Sequence, residues 1–414
     1  MKGLTRLAPL AAAVWFLAAS GGAAAPPPEA AGFVRTAGRK LVVGADKREI
    51  RLRGVAFAPS TVAEPREEDY ADVARMGMNT VRLALRDRFF RDSAAPGGFK
   101  DPGWQLLDAH LAFARKHGIY LILQLCGIEG AQFVPDRDSP FDYRIWKDSA
   151  LQENFVALWR AIAERYRDVP EIVGYSLFCE PVVSATLAQW QMLANRTIER
   201  IRQVDDRHII FVERIYGENE VRREVSGKEL PPEKAFFLAQ DSNVVYEIYF
   251  FERDEYTHQG APWRADLRRE IAYPDPSMRI LYEERPAGLK KSFHFDRDYL
   301  GFYLARQAKF GADHEVPMFV WAFGAIRSCF RQDGGGQRWL EDTMSLLEKN
   351  GFHWTAWTYR DENFGIRDNP DAREILSRAA RGATAMVRES LQLSRVRFGG
   401  ERSIPRGRPL TSQR

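Results

Sequence analysis

Cysteine is scarce: 3 among 414 residues. That is too few for a disulfide-stapled scaffold, so a packed core has to supply the stability. Long apolar runs are missing after the first 25 residues, and no later segment is suited to span a membrane. A glycine-rich phosphate turn is missing after the first strand-like run, where residues 51–58 hold Gly54 alone. An open nucleotide-binding sheet would normally carry one there. There are no internal repeats. An excess of one charge is missing from the body of the chain as well. The net charge is +4, but residues 381–414 hold eight Arg against two Glu, a local +6, and Lys2 with Arg6 add +2, which leaves about −4 for the rest. The sequence pI of 8.9 therefore belongs to the tail, which reads as a solvated, disordered segment with no nucleic-acid partner.

What is present suits a large core: 45% of residues are hydrophobic and 12% aromatic. Residues 1–25 read as a secretory signal peptide, with Lys2 and Arg6 before an apolar run and Ala23-Ala24-Ala25 as the small-residue cleavage pattern. No cysteine follows that run to mark a lipid anchor. Residues 26–32, opening on three prolines, form a spacer. The expected location is secreted or periplasmic, with no membrane span after cleavage.

From residue 33 to about 359, short apolar runs alternate with amphipathic stretches, the pattern of βαβ units around a parallel sheet. Eight strands are expected at 51–56, 80–83, 120–124, 173–178, 209–212, 244–249, 317–320 and 355–358. Helices are expected at 106–116, 152–166 and 188–204, with Gly118 as a C-cap. Eight strands with intervening helices predict an α/β fold, a (β/α)8 TIM barrel over residues 33–380, with 381–414 as the basic tail. Residues 33–35, 41–43 and 49–51 predict a short N-terminal β-hairpin around Gly44-Ala45-Asp46, placed to plug the barrel bottom. Residues 260–291, rich in charge and proline, read as a long insertion on the side where barrel active sites sit.

The strand ends carry a resemblance. Leu52-Arg53-Gly54-Val55, Asn79-Thr80-Val81-Arg82, Gly174 through Glu180-Pro181, Asn243-Val244-Val245-Tyr246 followed by Thr257-His258-Gln259-Gly260, Val320-Trp321-Ala322-Phe323-Gly324 and Trp354 through Tyr359 occur in order. Together they resemble glycoside hydrolase family 5, the cellulase- and mannanase-like retaining β-glycosidases, over nearly the whole body. The resemblance implies two carboxylates flanking a glycosidic bond, one as proton donor and one as nucleophile, about 5 Å apart in retaining enzymes. Glu180 matches the acid/base. At the end of a barrel strand the site reading is favoured over an ion-paired surface carboxylate. Ala322 holds the nucleophile's place and has no atom that could attack.

Other positions depart from the family too. Cys126 stands where the third strand usually ends in histidine, and Cys179 where an asparagine precedes the acid/base. Tyr249 replaces the sixth-strand histidine, and Phe251 the tyrosine two residues on. Arg82, Glu180 and Trp357 match. The ligand-contacting set implied is Arg82, Cys126, Cys179, Glu247, Tyr249, Phe251 and Trp357. Arg82 has lost its usual neighbour and needs another partner. Glu247, inward by its parity with Tyr249, is a candidate; Glu180 or a bound uronic acid are others. Cys126 and Cys179, at the ends of adjacent strands, pair as a disulfide or pack as two thiols. No cofactor is expected, and no metal, since no histidine aligns with the cysteines. Trp104, Trp146 and Trp263 are candidate subsite aromatics, with core packing the better reading for each. His258 and Gln259 are expected to shape the site.

These residues predict a secreted barrel whose partner is a β-linked polysaccharide or oligosaccharide, an anionic glycan among them, and which is a pseudoenzyme or impaired in catalysis. One alternative is an endo-β-glucanase or β-mannanase using Glu180 as acid with Glu247, Glu129 or Asp361 as substitute base and a water in the nucleophile's void. A second is a structural or partner-binding barrel.

Overall fold

The computed structural model describes residues 32–382 apart from 93–97, 132–140, 220, 223–229, 265–266, 268–269, 285–287 and 332–333. The expected signal segment, spacer and basic tail lie outside the described residues, except Gly32, Arg381 and Gly382 at their edges. Among the described residues no helix is long and apolar enough to cross a membrane.

Eight strands close a parallel barrel in chain order. They are β1 (Arg53–Phe57), β2 (Thr80–Leu85), β3 (Tyr120–Leu125), β4 (Ile172–Ser176), β5 (Ile209–Glu213), β6 (Val244–Phe250), β7 (Met318–Phe323) and β8 (His353–Ala356). Each falls where the apolar runs predict it. Strands β2, β3, β6 and β7 are buried at every residue, as strands covered on both faces must be. Gly54 is obligatory in β1, because a Cβ there would lie 1.7 Å from the Thr80 carbonyl oxygen.

The outer helices present one apolar stripe each. Ser149–Tyr166 buries Leu151, Phe155, Trp159 and Ile162 at helical spacing, and Asp148 caps its first turn by accepting from the Ala150 and Leu151 amides. The helix Asp101–His117 stops at Gly118, in the left-handed conformation at φ 67°.

The N-terminal hairpin becomes a three-stranded antiparallel sheet, Val34–Ala37, Lys40–Val43 and Arg48–Ile50. It sits at the barrel bottom, where the Thr36 amide donates to Asn243 Oδ1 at 3.0 Å just before β6. The 260–291 insertion holds an antiparallel ribbon that was not foreseen, Asp275–Glu283 paired with Lys290–Phe295. Its alternation is visible only in place: Ile280 and Tyr282 are buried while Leu281 between them is exposed.

Candidate active site

Arg82 projects from the middle of β2 into the barrel. Its Nη1 and Nη2 donate to Glu247 Oε1 and Oε2 at 2.5 and 2.7 Å, a bidentate pair with both side chains fully buried. Nη2 also donates to Ser176 Oγ at 2.5 Å, and that hydroxyl donates to Glu247 Oε2 at 2.7 Å. Phe319 and Trp321 cover the guanidinium, with ring centroids 5.7 and 5.3 Å from Cζ. Among the partners considered for Arg82, Glu247 is the one it meets. Arg82 and Glu247 thus form a fully buried polar floor. Neither side chain has exposed surface in this structure.

Trp321 shares the side of β7 that Phe319 presents two residues earlier, and both cover Arg82. The register runs Glu247 with Phe319 and Ile248 with Val320, then jumps to Tyr249 with Ala322. The bulge falls at Trp321 and brings the next residue, Ala322, level with Tyr249. Ala322 is fully buried and lies level with Tyr249 of β6. The Trp321 indole N–H donates to Glu213 Oε1. Gly324, two residues on, lets the end of β8 come close: a Cβ there would lie 2.7 Å from the Trp357 carbonyl oxygen.

Glu180 is half-buried beyond the end of β4, with φ 50°. That conformation is unfavourable for a side-chain-bearing residue by about 1–3 kcal/mol and persists only where the surroundings enforce it. Glu213 enforces it from β5, its Oε2 accepting the Glu180 amide N–H at 2.8 Å. The Glu213 carboxyl is held well above the usual carboxylate range, first by burial and then by the nearby Glu247 and Glu180. A raised value means that the folded state holds this proton more tightly than the unfolded chain. The associated stability is complete below the ordinary value of 4.5 and is lost as pH rises toward the folded value. Melting curves taken from pH 4 upward should therefore show the wild type losing Tm with rising pH relative to Glu213→Gln. Parallel curves for the two proteins would refute this assignment.

Cys126 and Cys179 meet where β3 and β4 end, Sγ to Sγ 2.9 Å, and both are free thiols. Of the two pairings considered, the structure holds the thiol form. Tyr249 stacks on Tyr216, centroids 4.0 Å apart, and its amide donates to the Tyr216 hydroxyl at 2.7 Å. Phe251 is half-buried and packs on Tyr249 and His258. Trp357 is half-buried at the end of β8, edge-on to Trp321 at 6.0 Å.

The remaining candidates separate. Trp146 is buried, stacked on Phe178, and donates to the Val182 carbonyl. Trp104 packs on Phe90 and Phe99 in the outer layer. Both are packing residues, while Trp263 keeps 49% of its surface and leans toward Phe364. His258 lies between Phe251 and Phe364, paired with Asp254. Gln259 is structural: it accepts from the Ile271 amide and donates to the Ile271 carbonyl, holding the insertion down. Of the substitute bases, Glu129 is paired with Arg91 and Asp361 accepts the Asn363 and Phe364 amides of its own turn. Glu213, Trp321 and Ser176 were missed by sequence reading. Glu213 carried a signal, since a charged residue closing an all-apolar strand points to the rim or to a partner.

A family profile described as cellulase (glycosyl hydrolase family 5) matches residues 43–363. Endoglucanase C of Acetivibrio thermocellus is 24% identical over 336 residues, covering 77% of this chain and 91% of that protein. Cellodextrinase A of Ruminococcus flavefaciens is 26% identical over 286 residues, covering 69% and 76%. Among solved structures, Cel5A of Thermotoga maritima with cellobiose superposes with a TM-score of 0.60 at 21% identity, over 79% of this chain and 97% of that one. The cellulose synthase subunit Z of Clostridioides difficile gives 0.58 at 17% identity, over 80% and 99%.

Proposed function

The chain belongs to glycoside hydrolase family 5, and on that premise we propose that it binds β-glucan at the mouth around Glu180 without retaining hydrolysis. The observation that carries this reading is Ala322, a methyl group in the nucleophile's register, with the bulged Trp321 beside it over Arg82. A proton donor alone cannot complete the double displacement. Glu213 is engaged as well, its two oxygens accepting the Glu180 amide and the Trp321 indole N–H. Glu247, Glu129 and Asp361 are engaged elsewhere. Relatives named endoglucanase and cellodextrinase support β-glucan as the ligand class. Residues 1–25 support export, and N-terminal sequencing of protein recovered from the periplasm or medium should begin after Ala25.

The test is reducing-end release by the mature protein over β-glucans, β-mannans and uronic-acid polymers, beside Glu180→Gln, with binding measured on the same panel. The expected result is no release above the Glu180→Gln background and measurable binding to β-glucan. Trp357→Ala should weaken that binding about tenfold through loss of a stacking face. Release that Glu180→Gln abolishes would overturn the non-hydrolytic reading. Binding untouched by Trp357→Ala would overturn the location of the site.

A further inference from the structure

The proposed reading leaves the two cysteines at the mouth without a role. Cys126 follows β3 directly, and its amide donates to the Leu85 carbonyl at 2.8 Å, which continues the ladder one step past the strand. Cys179 is the residue before Glu180. Both residues are half-buried at the mouth, with the Cys179 thiol turned inward. This sets them apart from Cys329, which is fully buried and donates to the Tyr256 carbonyl. The sulfurs stand 2.9 Å apart, inside ordinary non-bonded contact and longer than the roughly 2.05 Å of a disulfide. They bridge two neighbouring strands whose register is set just below them, Gln124 opposite Ser176. Closing the bond needs only a small approach of two side chains already in contact.

We propose that Cys126 and Cys179 are a reversible redox pair that locks the mouth ends of β3 and β4, and with them the segment carrying Glu180. The oxidant is a disulfide, either a low-molecular-weight one or that of a thiol oxidoreductase. The Cys126 thiolate attacks it, forming a mixed disulfide and expelling one thiolate. The Cys179 sulfur, deprotonated as it attacks, then displaces the second thiolate from Cys126 Sγ. Two S–H bonds and the oxidant's S–S bond break. The Cys126–Cys179 bond forms, and the oxidant leaves as two thiols carrying the two protons and two electrons. The order follows from the surroundings. Burial, the Cys126 thiol and the carboxylates of Glu180 and Glu213 push the Cys179 thiol well above its usual range, so it is the poorer first nucleophile. The same environment makes it a poor leaving group and slows reopening.

The experiment equilibrates the full mature chain in glutathione buffers from fully reduced to fully oxidised, quenches with N-ethylmaleimide under denaturing conditions, and measures intact mass and peptide maps. The expected product in oxidising buffer carries one maleimide, on Cys329, and a peptide cross-linked between Cys126 and Cys179. Its Tm should lie at least ~5 °C above the reduced form, because the cross-link closes a loop of more than fifty residues. Cys126→Ser should take up maleimide or a single glutathione at Cys179 and show no such rise. Three maleimides in every buffer, or stable glutathione adducts on the wild type without a cross-link, would overturn the proposal. Glycan binding is not needed for either readout, so failure here and failure of the β-glucan reading are separable.

Discussion

Glu247→Ala is expected to lower the unfolding free energy by about 3–5 kcal/mol, because it leaves the guanidinium of Arg82 charged, buried and without its carboxylate. Both side chains have no exposed surface, and the pair is bidentate at 2.5 and 2.7 Å. The remaining partner, Ser176, is a neutral hydroxyl and cannot balance a cation. Urea denaturation with unchanged m-values is the measurement. Arg82→Met combined with Glu247→Leu should lose much less than Glu247→Ala, since it removes both charges and their desolvation together. A loss below about 1 kcal/mol in Glu247→Ala would mean that water or another acid neutralises Arg82, and the pair's role as its sole charge balance would have to be abandoned.

The second large effect concerns Ala322, which the proposed reading puts in the nucleophile's place. Ala322→Glu alone should fail to create a retaining glycosidase. The position is fully buried, and the bulged Trp321 already occupies the space over Arg82 and donates to Glu213. A new carboxylate there meets an overpacked site with Glu213 and Glu247 close by, at a cost of several kcal/mol. Trp321→Gly together with Ala322→Glu removes the obstruction and offers the new carboxylate access to Arg82. This double variant should release reducing ends from β-glucan at least tenfold faster than Ala322→Glu. Equal rates for the two would show that the indole is not the obstruction. A folded, glucan-binding double variant with no release would show that the other departures, Cys179 and Phe251 among them, disable the site by themselves.

These two predictions rest on different kinds of legibility. Arg82 and Glu247 were readable as partners because strand parity is a strict alternation: residues two apart face the same way, so Glu247 had to point inward with Tyr249. Ala322 was readable because a strand-end motif keeps its order even when one member is replaced. Trp321 was not readable. Parity places it on the side of Phe319, but that this side covers Arg82, and that the next residue comes level with Tyr249, is decided by the register of β7 against β6. Glu213 was missed for a related reason. Its two N–H donors come from β7 and from the residue after Cys179, far apart in sequence. Glu129 and Asp361 misled in the other direction, because a carboxylate in a mouth loop looks free until its local partners are known. The ribbon at Asp275–Glu283 was hidden by its composition, with charge and proline masking an alternation that packing against the neighbouring helix makes plain.

The sequence by itself determined the barrel, the order of its strands, and the places of Glu180 and Ala322 near strand ends. Each depends on local periodicity or on motifs that lie contiguous along the chain. Tertiary structure alone decided which carboxylate neutralises Arg82, that Trp321 stands over it, that Glu213 holds the Glu180 backbone, and that Cys126 meets Cys179 as a thiol pair. Those are distances between side chains on different strands. They follow from the register and tilt with which a closed sheet brings its strands together, and no single segment encodes them.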